Sequence, residues 1–192
     1  GFSFRSFAKL KPRPQKAIGV SEATNQLQNL LLESIRERVS DVEKVAIAFS
    51  GGLDSSLIAA LVKKCEVEVY LITVGLADQV EIEHAKTAAK SLELPLKLQT
   101  YSVEDVERVL TKVLWLIEEP DTMKVGIAIP FFWTAETASK LECPVLLAGQ
   151  GADELFGGYK RYLTEYVHGE AEAVQNAIYN NVMMSYETNF QR

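Results

Sequence analysis

The chain has little of what builds disulfide frameworks or metal centres. It carries two cysteines, Cys65 and Cys143, and two histidines, His84 and His168, all far apart. That spacing excludes a zinc-ligand pattern and a disulfide scaffold, and it predicts buried thiols in a reducing compartment. Long apolar runs are absent too. Nothing reaches membrane-span length and nothing near the start resembles a signal peptide, so a cytoplasmic protein is expected. Positive charge is in deficit: 20 Lys and Arg stand against 26 Asp and Glu, a net −6. Nucleic-acid binding rests on neutralised phosphates, so such a partner is disfavoured. The one basic cluster, Arg5, Lys9, Lys11, Arg13 and Lys16, reads as a solvated linker. Internal repeats and low-complexity segments are also missing. What is present, 47% hydrophobic residues in 192, suits one compact domain.

Residues 1–20, with Pro12 and Pro14 around Arg13, read as a lead-in or linker. Residues 21–192 read as the domain. Leu27, Leu30, Leu31, Ile35 and Val39 recur at helical spacing and predict a helix over about 21–40. Strands and helices then alternate. Strands are expected at 44–49, 67–74, 96–101 and 144–148. Helices are expected at 53–64, 80–92, 103–117 and 130–140, then at about 157–168 and 170–186. Ser102 with Asp105 three residues on approximates a capping box. Trp115, Phe131, Phe132 and Trp133 read as core and rim packing, and His84 as a helix-surface residue. Repeated β-α order with apolar strands predicts an α/β fold, a doubly wound parallel sheet with helices on both faces and C-terminal helices after it. Ligands in such folds sit at the carboxyl ends of the strands.

Two strand-to-helix loops carry unusual sequence. The first is Ser50-Gly51-Gly52-Leu53-Asp54-Ser55-Ser56. Its glycines permit close backbone approach to a ligand. The following helix N-terminus offers free N–H groups and a positive dipole end to an anion, and Ser50, Ser55 and Ser56 add hydroxyls. Asp54 beside an anion site implies a bridging cation, for which magnesium fits. The bland alternative is a tight turn with a capping residue. No Gly-Lys-Ser/Thr follows, which excludes the Walker-type loop.

The second loop is Ala148-Gly149-Gln150-Gly151-Ala152-Asp153-Glu154-Leu155-Phe156-Gly157-Gly158-Tyr159. Asp153 is the candidate second magnesium ligand beside Asp54. Glu154 is a candidate for orienting a ligand. The bland alternative is an acidic pair favourable to a helix N-terminus.

The first loop resembles the PP-loop of ATP pyrophosphatases. Together, and over roughly residues 45–166, the two loops resemble the synthetase domain of the asparagine synthetase family. The resemblance implies a PP-loop, HUP-like fold that binds ATP and Mg2+. It implies that a small-molecule carboxylate becomes an acyl-adenylate with release of pyrophosphate, and that an amine or ammonia then forms an amide. By resemblance, Ser50, Gly51, Gly52, Leu53, Ser55 and Ser56 would meet the phosphates. Val74 would meet the adenine, Gly149 the ribose and α-phosphate, and Asp54 and Asp153 the metal. Glu154, Lys124 and Lys160 are the candidate catalytic side chains.

The chain departs from that family in places. Gln150 stands where those enzymes carry Glu, and Met123-Lys124-Val125-Gly126 where they tend to carry Thr and Arg. A glutaminase cysteine nucleophile is missing, so ammonia is expected free or from a glutaminase domain or subunit. The family continues with further helices and a lysine beyond the point matching Arg192, so truncation at the C-terminus is expected. A homo-oligomer is left open. Two other readings stay open as well: another PP-loop enzyme acting on tRNA, and a non-catalytic nucleotide-binding module.

Overall fold

The computed structural model describes residues 17–76, 79–168 and 174–182. Four parallel strands, β1 (Lys44–Ala48), β2 (Glu68–Leu76), β3 (Leu96–Tyr101) and β4 (Val145–Leu147), form one sheet in the order β3-β2-β1-β4. The chain steps outward from β1 to β3, then crosses back to lay β4 on the other side of β1. That reversal makes the gap between the carboxyl ends of β1 and β4 the topological switch point, where doubly wound folds bind ligands.

Side-chain alternation along the strands divides two cores. Val45, Ile47, Val69 and Leu71 face α1 (Val20–Val39), α2 (Leu53–Val62) and α3 (Val80–Leu92). On the other face Ala46 and Ile72 meet Ala138 of α5 (Thr122–Lys140). The small Ala46 lets that long helix lie close. Outside α5 lies α4 (Val103–Ile117), joined through Val113, Ile129 and Trp133, with the Trp133 indole stacked on Tyr101 at 3.8 Å between centroids. At the carboxyl edge follow α6 (Ala152–Phe156), α7 (Lys160–His168) and a helical stretch over 174–182. Asn181 donates to the buried Tyr162 hydroxyl and ties that stretch to α7.

α3, β3 and α4 match the sequence-based ranges, and the Ser102–Asp105 capping box is present in both directions. Three expectations need correction. The helix expected to start at Pro130 begins at Thr122, capped by Asp121, whose carboxylate accepts from Lys124 N–H at 2.8 Å. Proline in a helix clashes with the carbonyl four residues back. That residue is Gly126, whose Cα faces open space, and packing of Val125 and Ala128 on α4 holds the first turns. Secondly, the helix expected at about 157–168 starts at Lys160 as α7, and a short helix that was not expected, α6, precedes it and ends at Gly157, φ +70°. Thirdly, Trp115 is 77% exposed and belongs to no core. The helix expected over 170–186 is helical over 174–182, and its remainder falls outside the described residues. The lead-in over 1–16 also lies outside them.

Candidate active site

β1 ends at Ala48, and the chain is pinned to β2 at once. Phe49 N–H donates to Ile72 O (2.8 Å), and the buried Thr73 hydroxyl donates to Phe49 O (2.6 Å). The turn into α2 then closes on itself. Ser50 N–H donates to Ser55 Oγ (3.3 Å), Gly52 N–H donates to Ser50 Oγ (3.2 Å), and Ser55 Oγ donates to Gly52 O (3.3 Å). Gly51 sits at φ +76°, and a Cβ there would lie 2.7 Å from the Ala85 Cα. The turn can therefore nestle on α3 only as glycine. The first N–H groups of α2 have no partner within the helix, and the positive end of its dipole lies at this turn.

From the other side of the switch point the β4 loop comes in against this turn. A Cβ on Gly149 would lie 2.9 Å from Asp54 Cβ and 3.2 Å from Ser55 N. Gly151, at φ +93°, starts α6, and α6 carries Asp153. Gly158 N–H donates to Asp153 O, and a Cβ on Gly158 would fall 1.9 Å from Asp153 Oδ1. The second glycine of the pair thus leaves the volume in which the carboxylate rests.

Between the loops lies a cleft of about 350 Å³, within the range of small-ligand sites. It brings together Ser50, Gly52, Leu53, Asp54, Ser55, Val74, Gly149 and Asp153 from the sequence-based set. It does not include Gly51, which faces α3, or Ser56. The three candidate catalytic side chains also lie outside its lining. Glu154 accepts a hydrogen bond from the Tyr159 hydroxyl. Lys124 is ion-paired with Glu119 at the start of α5. Lys160 is exposed at the first turn of α7.

Residues unforeseen in the sequence complete the walls. Thr73 comes from β2, Gln79, Glu81 and Ile82 from the start of α3, and Pro130, Phe131 and Thr134 from α5. The rule that ligands sit at strand carboxyl ends points to the β2–α3 turn as well, a signal that was there to use. The α5 wall had no such signal, because Pro-Phe-Phe-Trp reads as core. Three lining residues are acidic, Asp54, Glu81 and Asp153, and none of the described lining residues is Lys or Arg. Among the described residues no group of three or more His, Cys, Asp or Glu side chains could cage a metal.

Comparison with known proteins decides the family. The asparagine synthase family model matches residues 26–191. The chain belongs to the asparagine synthase family. A putative glutamine-hydrolysing asparagine synthetase of Methanocaldococcus jannaschii is 38% identical over 187 residues, covering 97% of this chain and 34% of that protein. Glutamine-hydrolysing asparagine synthetase 1 of Bacillus subtilis is 28% identical over 162 residues, covering 83% of this chain and 25% of that protein. The chain thus spans about a third of the length of the first relative and a quarter of the second. The NH3-dependent NAD synthetase of Campylobacter jejuni superposes with TM-score 0.50 at 19% identity, over 92% of this chain and 86% of its own. NMN synthetase of Francisella tularensis gives TM-score 0.50 at 17% identity, over 74% and 60%. These two establish the fold, the doubly wound PP-loop architecture. No helix among the described residues is long and apolar enough to cross a membrane.

Proposed function

We propose that the chain binds ATP with magnesium in this cleft, activates a carboxylate as its acyl-adenylate and passes the acyl group to an amine or ammonia. The observation that carries this is the meeting of the two glycine-bearing loops at the switch point, with Asp54 and Asp153 on one cleft. A polyphosphate entering a cleft whose described lining has three carboxylates and neither Lys nor Arg needs a countercharge. Two protein carboxylates, with phosphate oxygens and water, suit magnesium, which is seldom caged by protein alone. Asp54 and Asp153 would hold it, and when bound it neutralises charge on the departing pyrophosphate.

The chain's own groups do the rest. The α2 N-terminus and its N–H groups hold the β- and γ-phosphates, and Ser50 and Ser55 add hydroxyls. Val74 meets the adenine on the β2 wall, and Gly149 keeps the second loop close enough to meet the α-phosphate. A carboxylate oxygen attacks the α-phosphorus, the bond to the bridging oxygen breaks, and pyrophosphate leaves. The amine then attacks the acyl carbon, and AMP leaves with the carbon–oxygen pair. Glu154, held by Tyr159, is a positioning residue on the Asp153 helix. Lys124 would be available to a substrate only after parting from Glu119. The named relatives hydrolyse glutamine, so a glutaminase domain or subunit is the proposed ammonia source, in a soluble, cytoplasmic setting.

Product analysis tests the reading. With ATP, magnesium and an accepted carboxylate, AMP and pyrophosphate should form in equal amounts. ADP and orthophosphate in their place would assign cleavage to the wrong bond and sink the adenylate proposal.

A further inference from the structure

One charged side chain of the cleft has no task in the proposed reaction. Asp54 and Asp153 go to the metal, and the third acid of the described lining is Glu81. It is exposed, and its carboxylate makes no hydrogen bond or ion pair with the described residues. The neighbouring acid differs: Glu83 is paired with Lys86 at 2.7 Å and lies off the lining. Two other polar side chains on that wall are engaged. The Thr73 hydroxyl donates to Phe49 O, and Gln79 Oε1 accepts from Leu76 N–H at 3.2 Å.

Two contacts fix where Glu81 stands. α3 touches the β1–α2 turn at Ala85, where a Cβ on Gly51 would lie 2.7 Å from the Ala85 Cα. It touches the end of β2 at Ile82, whose Cδ1 would lie 3.8 Å from a Cβ on Gly75. Glu81 adjoins Ile82 and comes four residues before Ala85. It therefore shares a side of the helix with Ala85, about 6 Å nearer the helix start. That places it between the turn and the end of β2. In the proposed site the turn holds phosphates, and Val74, beside Gly75, meets the adenine. The part of a nucleotide that joins these two is the ribose.

Charge points the same way. An ionised carboxylate only accepts hydrogen bonds. Against phosphate it would be repelled. Against the vicinal hydroxyls of a ribose it finds two donors, and hydrogen bonds to an ionised acceptor are the stronger kind. Dinucleotide-binding folds, which are likewise doubly wound, also set an acid on the ribose 2′-hydroxyl.

We infer that Glu81 reads the sugar: its carboxylate accepts from the ribose 2′- and 3′-hydroxyls and makes the site prefer ribonucleotides to deoxyribonucleotides. The inference rests on the proposed nucleotide site and adds a specificity-determining residue to it.

Calorimetric titration of the whole chain with ATP and with 2′,3′-dideoxy-ATP tests it, at saturating magnesium and without acyl substrate. The wild-type chain should bind the dideoxy nucleotide about tenfold more weakly, or worse. In Glu81→Ala, checked for folding by circular dichroism, that difference should fall to about threefold or less. Glu81→Gln, which keeps one acceptor oxygen in the same shape, should lie between. The ratio is the readout, because loss of a negative charge changes the affinity of both nucleotides alike. Glu83→Ala should keep the full difference, and a collapse there too would make the effect one of charge alone and overturn the assignment. A difference of equal size in wild type and Glu81→Ala, or none in wild type, overturns the inference and leaves the nucleotide site standing. Failure of ATP itself to bind the folded wild-type chain sinks the nucleotide site and the inference with it.

Discussion

Gly149 and Gly158 set the distance between the loops and the aim of Asp153. A Cβ at Gly149 would press on Asp54 Cβ and the Ser55 backbone, atoms that cannot swing aside. Gly149→Ala should therefore part the loops and lower nucleotide affinity at least tenfold, read by calorimetry. Gly158→Ala is a different case. Its Cβ would meet the end of a side chain, the Asp153 carboxylate, which can rotate away. That variant should fold normally and need several-fold more magnesium for half-maximal nucleotide binding, with nucleotide affinity recovered at saturating magnesium. A shift in stability with no change in magnesium dependence would show Gly158 to be structural only. The glycines were conspicuous in the sequence, but their separate tasks were not. A glycine string reports room for backbone, and only the fold shows that Gly51 faces α3. Cys143 met its expectation: it is buried, and burial pushes its thiol pKa up, so it stays a neutral packing group.

At the scale of elements, local signals were legible wherever a cap or a clean period existed. The Ser102 box and the period of α4 predicted that helix to the residue. Ser102→Ala should cost about 1 kcal/mol in urea unfolding at pH 7. The box also has a pH signature. The Ser102 backbone N–H holds the Asp105 carboxyl below its ordinary range, and the Ser102 hydroxyl does the same for Glu104. A depressed folded-state pKa gives stability above the unfolded value that is lost as pH falls through the folded one. The Ser102→Ala penalty should therefore shrink below about pH 4, and a penalty unchanged down to pH 2 would contradict this. Pro130 and Gly126 hid the start of α5, because a proline in a sequence reads as a helix beginning. What keeps the helix continuous, the packing on α4, is a tertiary fact. α1 shows the converse. Its apolar period is regular, yet only Ile35 and Val39 are buried while Leu30 is 63% exposed, since periodicity marks a face without saying what covers it.

On the scale of the whole molecule, alternating β and α segments predicted a parallel doubly wound sheet, but they could not order its strands. The order β3-β2-β1-β4 puts the first and last loops, some hundred residues apart in sequence, side by side. The two motifs were thus legible singly, and the cleft wall from α5 was not. The acidic lining follows from the same assembly and makes the countercharge the central issue of the site. The most direct measurement is calorimetric titration of the chain with α,β-methylene ATP, with and without magnesium, beside Asp54→Asn. The account predicts binding that needs magnesium and weakens at least tenfold in the variant. Binding of equal strength without the metal, or in Asp54→Asn, would contradict it, and no binding to the folded chain would withdraw the nucleotide site altogether.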